Sequence, residues 1–379
     1  MSWTRLVLPV TAAVLVAAAP AARAARIAYL HDGDLVVRDL ATGAQHVVMA
    51  HAGAGPVHWS GDGRLVSSGG RIAAGPALPT SELIWAPTGE TAAYITHKGG
   101  VVVWGRRENR RIAPDGWGAT SLAWRGNGHL AIGRALYRPT PHQQGIWIWD
   151  GHTLRRLLAL GRSGPEPYPT SWHDGRVVWW AYPDSASLAA DGVFLYEDHT
   201  RVGETLMHPD YVVSCGSHLA LADGGDRYST HDKRILFDGR DISRDPSRSW
   251  VSPACSADGS ILLAAAGRNW VEDRFGREHR AIWQLLPTRR QLTHPPAGWS
   301  DETPHMLPDG SILFVRTRQT SGKRNGQWYV TTDAHIERLT HGKLTAIADV
   351  GYTANALSPL GDTNYYGHYG WQRLIAITP

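Results

Sequence analysis

Trp59-Ser60-Gly61-Asp62-Gly63, Trp85-Ala86-Pro87-Thr88-Gly89 and Trp124-Arg125-Gly126-Asn127-Gly128 are three copies of one signal, and their reading decides the fold. Trp172-His173-Asp174-Gly175, Cys255-Ser256-Ala257-Asp258-Gly259 and Met306-Leu307-Pro308-Asp309-Gly310 continue the series. Cys215-Gly216-Ser217 and Leu357-Ser358-Pro359-Leu360-Gly361 are degenerate copies. Each joins a tight-turn signal to an apolar run such as Ile261-Leu262-Leu263 or Ile312-Leu313-Phe314. The Asp-Gly and Asn-Gly steps supply the positive-φ positions of hairpin turns. A unit of this size cannot bury its own apolar face, so neighbouring units must stack.

The anchors begin at residues 59, 85, 124, 172, 215, 255, 306 and 357. Most intervals fall near the ~40–50 residues of a four-stranded propeller blade. Val101-Val102-Val103-Trp104 and Ile146-Trp147-Ile148-Trp149 are β-branched and aromatic, as strands prefer. No stretch after residue 25 keeps a helical period. The expectation is an all-β chain, a single β-propeller of four-stranded blades spanning residues 25–379. Eight blades follow from the anchor count, and seven is the alternative because the interval between Trp59 and Trp85 is short. Residues 26–50 read as three strands without an anchor ahead of them, and the last anchor, 354–359, has little behind it. Pairing of these N- and C-terminal segments in one blade would close the ring and remove open edges.

Residues 1–24 have the form of an export signal: Arg5, an apolar stretch over 6–19, and Ala22-Arg23-Ala24 as a small-x-small cleavage site. An uncleaved anchor is the alternative, although the apolar stretch is short of the ~20 residues that span a bilayer. Removing 1–24 takes Arg5 and Arg23 from a chain of formal charge +4. What remains is too small a charge for a nucleic-acid partner, and no basic stripe or zinc spacing restores that class. The expected location is periplasmic, cell-envelope or extracellular, with no transmembrane span in the mature chain. Cys215 and Cys255 hold equivalent positions in consecutive anchors, and an oxidising compartment would let them pair. Two thiols packed between blades are the alternative.

The anchors resemble the Trp-Ser-Pro-Asp-Gly repeats of TolB-like β-propellers. Arg26-Ile27-Ala28-Tyr29-Leu30, then Leu35-Val36-Val37-Arg38-Asp39 and Thr42-Gly43, is similar to the opening of the TolB propeller. Asp301-Glu302-Thr303-Pro304 resembles the entry to a late blade. Arg289-Arg290-Gln291-Leu292-Thr293 and Glu337-Arg338-Leu339-Thr340 match its Arg-Leu-Thr blade endings. TolB itself has an N-terminal α/β domain and six blades, whereas here strands begin directly after residue 24. A partner-binding role in the envelope is what the resemblance implies.

Direct signs of catalysis are sparse. No Gly-x-Ser-x-Gly nucleophile elbow occurs, and Gly161-Arg162-Ser163-Gly164-Pro165 ends in Pro. About twenty residues follow the last anchor, too few for an α/β-hydrolase domain. The 19 His residues form no His-Glu-x-x-His pattern. Asp223, Asp226 and Asp232 read more readily as a solvated turn than as a calcium loop, so no metal and no cofactor are expected. Asp301-Glu302 and Glu272-Asp273 fall in loops of neighbouring blades and would serve a glycan- or lactone-active enzyme if they faced each other across a cleft.

One pattern points to binding. The segment before each anchor crosses from an outer strand to the next inner one, at one mouth of the channel. Six crossings carry an aromatic residue: Trp117, Tyr168, Tyr211, Trp250, Trp299 and Tyr352. Rings at a mouth offer flat apolar area with a polar edge, and Asp301, Glu302 and His305 would add polar groups beside them. The alternative is that these rings pack between blades. The expected activity is a non-enzymatic binding or scaffold module for an envelope or extracellular protein, peptide or glycan.

Overall fold

The computed structural model describes residues 25–53, 55–126, 128–136, 144–161, 164–181, 193–206, 212–224, 232–268, 279–324, 327–350, 352–355 and 374–378. Among the described residues there is no helix. Eight antiparallel sheets follow one another around a ring, each a blade. From the inside outward, the first blade is Ile375–Ile377, Arg26–His31, Asp34–Asp39 and Gln45–Met49. The second has three strands, Val57–Trp59, Val66–Ser68 and Arg71–Ile72. The third runs Ile84–Trp85, Ala92–Ile95, Val101–Trp104, Asn109–Ala113. The fourth runs Ala119–Arg125, His129–Arg134, Gly145–Trp149, Leu154–Ala159. The fifth is Tyr168–His173, Arg176–Ala181, Val193–Glu197, Thr200–Leu206, and the sixth Val212–Cys215, His218–Gly224, Lys233–Phe237, Arg240–Asp241. The seventh is Arg248–Cys255, Leu262–Arg268, Ala281–Leu286, Arg290–Gln291. The eighth is Ser300–Met306, Ile312–Arg324, Gln327–Thr340, Lys343–Asp349, with Tyr352–Asn355 added beside Gln327–Thr340.

Trp59 and Trp85 head separate blades, so the count is eight. The short interval between them is met by a blade of three strands. The closing strand differs from the expected one. Ile375–Ile377, not 354–359, completes the first blade, with Ile27 opposite Ile377 and Tyr29 opposite Ile375. Thr378 ties the same edge, its N–H donating to the Arg26 carbonyl at 2.9 Å. The segment Ile-Ala-Ile alternates apolar side chains onto both seams of the blade but carries no turn motif, so the anchor series does not mark it. Tyr352–Asn355 instead extends the eighth blade, and 356–373 lie outside the described residues.

The apolar core is a ring of seams rather than a single centre. Ala28 and Val37 meet Trp59 and Val66 between blades one and two. Val178 and Leu195 meet Leu221 and Leu236 between five and six. Ile27 and Ile375 meet Leu313 and Ile336 between eight and one, which closes the circle. Strand side chains alternate between the two faces of a blade, so each blade feeds both of its seams.

The anchor position has a second task. The Trp59 indole N–H donates to the Ala376 carbonyl at 3.2 Å, Trp124 to Ile84 at 3.0 Å, and Trp172 to Ala123 at 3.0 Å. Each acceptor lies on the inner strand of the preceding blade. At the same position in blades six and seven, Cys215 and Cys255 are joined by a disulfide with Cα atoms 5.8 Å apart. The turn beyond the anchor is built as its sequence implies: Ser60 Oγ donates to Asp62 at 2.7 Å, and Gly63 takes φ 66.

Candidate functional site

The inner strands begin at the end of the ring where the crossings arrive, and the expected rim residues are distributed there unequally. Trp250 is 1% exposed and meets Trp283 edge-on at 5.6 Å, with the Arg248 guanidinium 4.5 Å above the Trp283 ring. Trp117 is also buried; it meets Trp147 at 5.7 Å under the Arg134 guanidinium, 4.5 Å from its centroid. These two rings pack within their blades and offer no face to a ligand. Tyr168 is half-buried, stacked on Trp180 at 4.2 Å with its hydroxyl 2.8 Å from Glu166. Trp299 is half-buried beside His335, 5.3 Å between rings, and the Arg318 guanidinium lies 4.9 Å from its centroid. Tyr211 lies outside the described residues, as does the side chain of Tyr352, whose backbone pairs with Thr332. The expected single rim is therefore reduced to Trp299 and Tyr168 among the described side chains.

The two acids expected in a loop sit on the strand Ser300–Met306, inside the wall. Asp301 is fully buried and takes a bidentate pair from Arg316, at 2.7 and 2.9 Å. Glu302 is 1% exposed, and Arg280 Nη1 donates to both of its carboxylate oxygens, at 3.1 and 3.0 Å, while Ser300 Oγ donates to it at 2.6 Å. Burial opposes the Arg316 charge, but Asp301 outweighs it and holds the pKa above its ordinary value. Arg280 also donates its backbone N–H to Ser300 Oγ, so this corner joins blades seven and eight. His305 follows a bulge between Glu302 and His305. It lines a small apolar crevice with Thr303, Leu313, Ile336 and Ile375, and burial lowers its pKa to about 4. His305 is therefore neutral at ordinary pH. Glu272 and Asp273 lie outside the described residues.

The structure assembles a cluster that the sequence motifs did not mark. Asp301 stands opposite Arg316, Arg316 opposite His335, and His335 opposite Asp349, one row across all four strands of the eighth blade. His335 Nδ1 is 2.5 Å from Asp349 Oδ1. One step nearer the crossing end, Arg318 is opposite Asp333 and binds it at 2.6 Å. His31 of the first blade reaches over, its Nδ1 2.9 Å from the Asp349 carbonyl. Burial raises the pKa of Glu337 on the same face, against the opposing charges of Arg316 and His335. The available signal was period two: Phe314, Arg316 and Arg318 on one strand, and Asp333, His335 and Glu337 on the next, each share a face.

The inner members of this cluster are sequestered, whereas Arg318 and Asp333 keep nearly half of their side-chain surface in solvent, 46% and 42%. Trp299, Arg318, Asp333 and His335 thus form a patch with one aromatic face and both signs of charge. Such a surface suits a ligand that presents flat or apolar area with polar edges. Among the described residues, no group of three His, Cys, Asp or Glu side chains is placed to hold a metal ion. No helix among them is long and apolar enough to cross a membrane.

The chain matches no sequence-family model and no curated protein. Solved structures resemble its course. A protein assigned as TolB from Agrobacterium tumefaciens is 12% identical over 93% of this chain and 96% of its own, with a TM-score of 0.36. One of two mechanistically studied prolyl endopeptidases is 12% identical over 89% of this chain and 51% of its own, with a TM-score of 0.45. The Kuenenia stuttgartiensis hydrazine synthase is 13% identical over 66% of this chain and 75% of its own, with a TM-score of 0.35. None of these likenesses assigns an activity to this chain.

Proposed function

We propose that this chain is an exported, non-enzymatic binding or scaffold propeller that recognises a protein, peptide or cell-envelope glycan at the patch around Trp299. The observation that carries this reading is the opposite fate of the acids and the ring. Acid-base chemistry on a sugar or lactone needs carboxylates that face substrate. Asp301 and Glu302 are themselves buried and instead face Arg316 and Arg280 within the wall. Trp299 is only half-buried, with its ring against Arg318, which binds Asp333. Residues 1–24, which lie outside the described residues, supply the export signal, and the disulfide at Cys215–Cys255 suits an oxidising compartment.

The test is capture from a cell-envelope extract by the immobilised chain 25–379, run beside a glycan array. A specific protein or glycan retained by the unaltered chain and lost by Trp299→Ala is the expected result. Retention unchanged by Trp299→Ala would remove the patch from the function. Hydrolysis of array glycans, abolished by Glu302→Gln, would replace the reading by an enzymatic one.

A further inference from the structure

The eighth blade carries an arm. Its second and third strands, Ile312–Arg324 and Gln327–Thr340, are 13 and 14 residues long, about twice the length of their neighbours in the ring. The inner strand Ser300–Met306 pairs with the second strand only as far as Thr317. The ladder between the second and third strands continues for seven further pairs, from Arg318 opposite Asp333 to Arg324 opposite Gln327. At ~3.4 Å per residue this arm stands roughly 20 Å beyond the end of the inner strand.

The two edges of the arm differ. Along the third strand, Tyr352–Asn355 adds itself as an extra antiparallel strand, Tyr352 opposite Thr332 and Asn355 opposite Tyr329. The arm therefore already takes up an extended segment by backbone pairing. Along the second strand, Arg318–Arg324 has no partner among the described residues on the side away from the third strand, the side on which the inner strand pairs as far as Thr317. A strand presenting unpaired N–H and C=O groups is a template for an added strand. The sequence of this edge, Arg318-Gln319-Thr320-Ser321-Gly322-Lys323-Arg324, has three basic residues and no acid, and no Pro interrupts it. Trp299 lies at its root, against Arg318.

We infer that the open edge Arg318–Arg324 binds an extended acidic peptide segment of a partner protein by strand addition, with Trp299 at the root of the added strand. This rests on the binding reading above and narrows its ligand class to a peptide. Backbone pairing supplies the affinity, and the basic edge selects for Glu or Asp in the incoming strand. A ligand lacking backbone N–H groups cannot complete the ladder, so Pro-rich peptides and glycans are excluded from this edge.

The test uses the chain 25–379 and three capped probe peptides of about twelve residues, enough to cover the edge at ~3.4 Å per residue. One alternates Thr and Glu, one alternates Thr and Lys, and one is the Thr-Glu peptide with Pro at every third position. The expected result is saturable binding of the Thr-Glu peptide below about 1 mM, with amide hydrogen exchange slowed in 318–324. Neither control peptide should bind. Lys323→Glu/Arg324→Glu should weaken binding roughly tenfold or more, about 1.4 kcal/mol, and leave the melting temperature in place, because both residues lie beyond the four-stranded part of the blade. Equal binding by the Pro peptide would show a charge patch without strand addition, and absence of saturation or protection elsewhere would equally overturn the inference. The envelope capture experiment separates the two readings. A ligand retained by both the unaltered chain and the Lys323→Glu/Arg324→Glu variant sinks the edge and leaves the binding function. An unaltered chain that retains no specific ligand sinks the binding function itself.

Discussion

The Trp124 indole donates its N–H to the carbonyl of Ile84, 3.0 Å away, across the seam between the third and fourth blades. The anchor tryptophan thus both fills a seam and ties one inner strand to the one before it. Trp124→Phe keeps most of the apolar area and leaves the Ile84 carbonyl without this donor. A loss of about 1–2 kcal/mol is expected, the range for stranding a partly buried acceptor. Urea unfolding of the variant beside the unaltered chain measures it. A change within a few tenths of a kcal/mol would mean that water replaces the indole.

Cys215 and Cys255 perform the same tie covalently between blades six and seven, closing a loop with a sequence separation of 40. Opening it by reduction, or by Cys215→Ser with Cys255→Ser, should cost about 2–4 kcal/mol, chiefly through the greater freedom of the unfolded chain. Mass spectrometry without reductant should recover one linked peptide pair from the native protein. Two free thiols in the native chain would reject the bridge.

His173 lies between two acceptors. Its Nδ1 is 2.5 Å from Glu197 Oε1 within the fifth blade, and its Nε2 is 2.7 Å from the Ser217 carbonyl in the sixth. A neutral ring has one N–H to give, so this geometry selects the imidazolium. Burial opposes the charge, but the hydrogen bonds to Glu197 and Ser217 outweigh it and raise the pKa above the ordinary ~6.5. The folded state then holds this proton more tightly than the unfolded chain. Its contribution to stability is full below about pH 6.5 and is lost as the pH rises through the raised folded value. Melting temperatures should therefore fall as the pH rises above ~6.5, and His173→Gln should flatten that slope. Equal slopes in the two proteins would exclude His173 as its source.

The fold was legible in the sequence because its turns are local. Asp62-Gly63 and Asp258-Gly259 fix hairpins with neighbours only a few residues away, and the serines that cap them, Ser60 and Ser256, lie in the same motif. The closing strand Ile375–Ile377 was missed because its partner, Arg26–His31, is some 350 residues distant in the chain and no local signal names it. Asp301 and Glu302 looked like loop acids for a related reason. Their arginines, Arg316 and Arg280, are 15 and 22 residues away, and only the pairing of strands brings them together. Trp117, Trp250 and Trp299 all sit a few residues ahead of their anchors, yet Trp117 and Trp250 pack on Trp147 and Trp283, whereas the third strand of the eighth blade offers His335 instead.

The Arg280–Glu302 pair makes the structural role of that acid measurable. Glu302→Gln removes one charge from a pair buried on both sides. Breaking a buried ion pair by neutralising one partner costs up to about 3–5 kcal/mol, so the variant should unfold at lower urea. Replacing both partners, Arg280→Met with Glu302→Leu, should restore most of the loss, because an apolar pair of similar size needs no desolvation of charge. If Glu302→Gln melts like the unaltered chain, Glu302 is not a structural partner of Arg280 and the wall of the ring is held otherwise.

Trp250 and Trp299 give the sharpest contrast, since both head neighbouring inner strands at the same end of the ring. Trp250 is 1% exposed and packed on Trp283. Trp250→Ala should cost about 3–5 kcal/mol of stability through lost contacts and a cavity. Trp299 is half-buried, clasped by Arg318 and His335. Trp299→Ala should lose less stability than Trp250→Ala and weaken ligand retention by about 2 kcal/mol or more, the signature of a hot spot. Urea unfolding and ligand capture, run on both variants, separate the two roles. Matching stability losses without a binding defect in Trp299→Ala would make both rings packing and move the ligand to another part of the face.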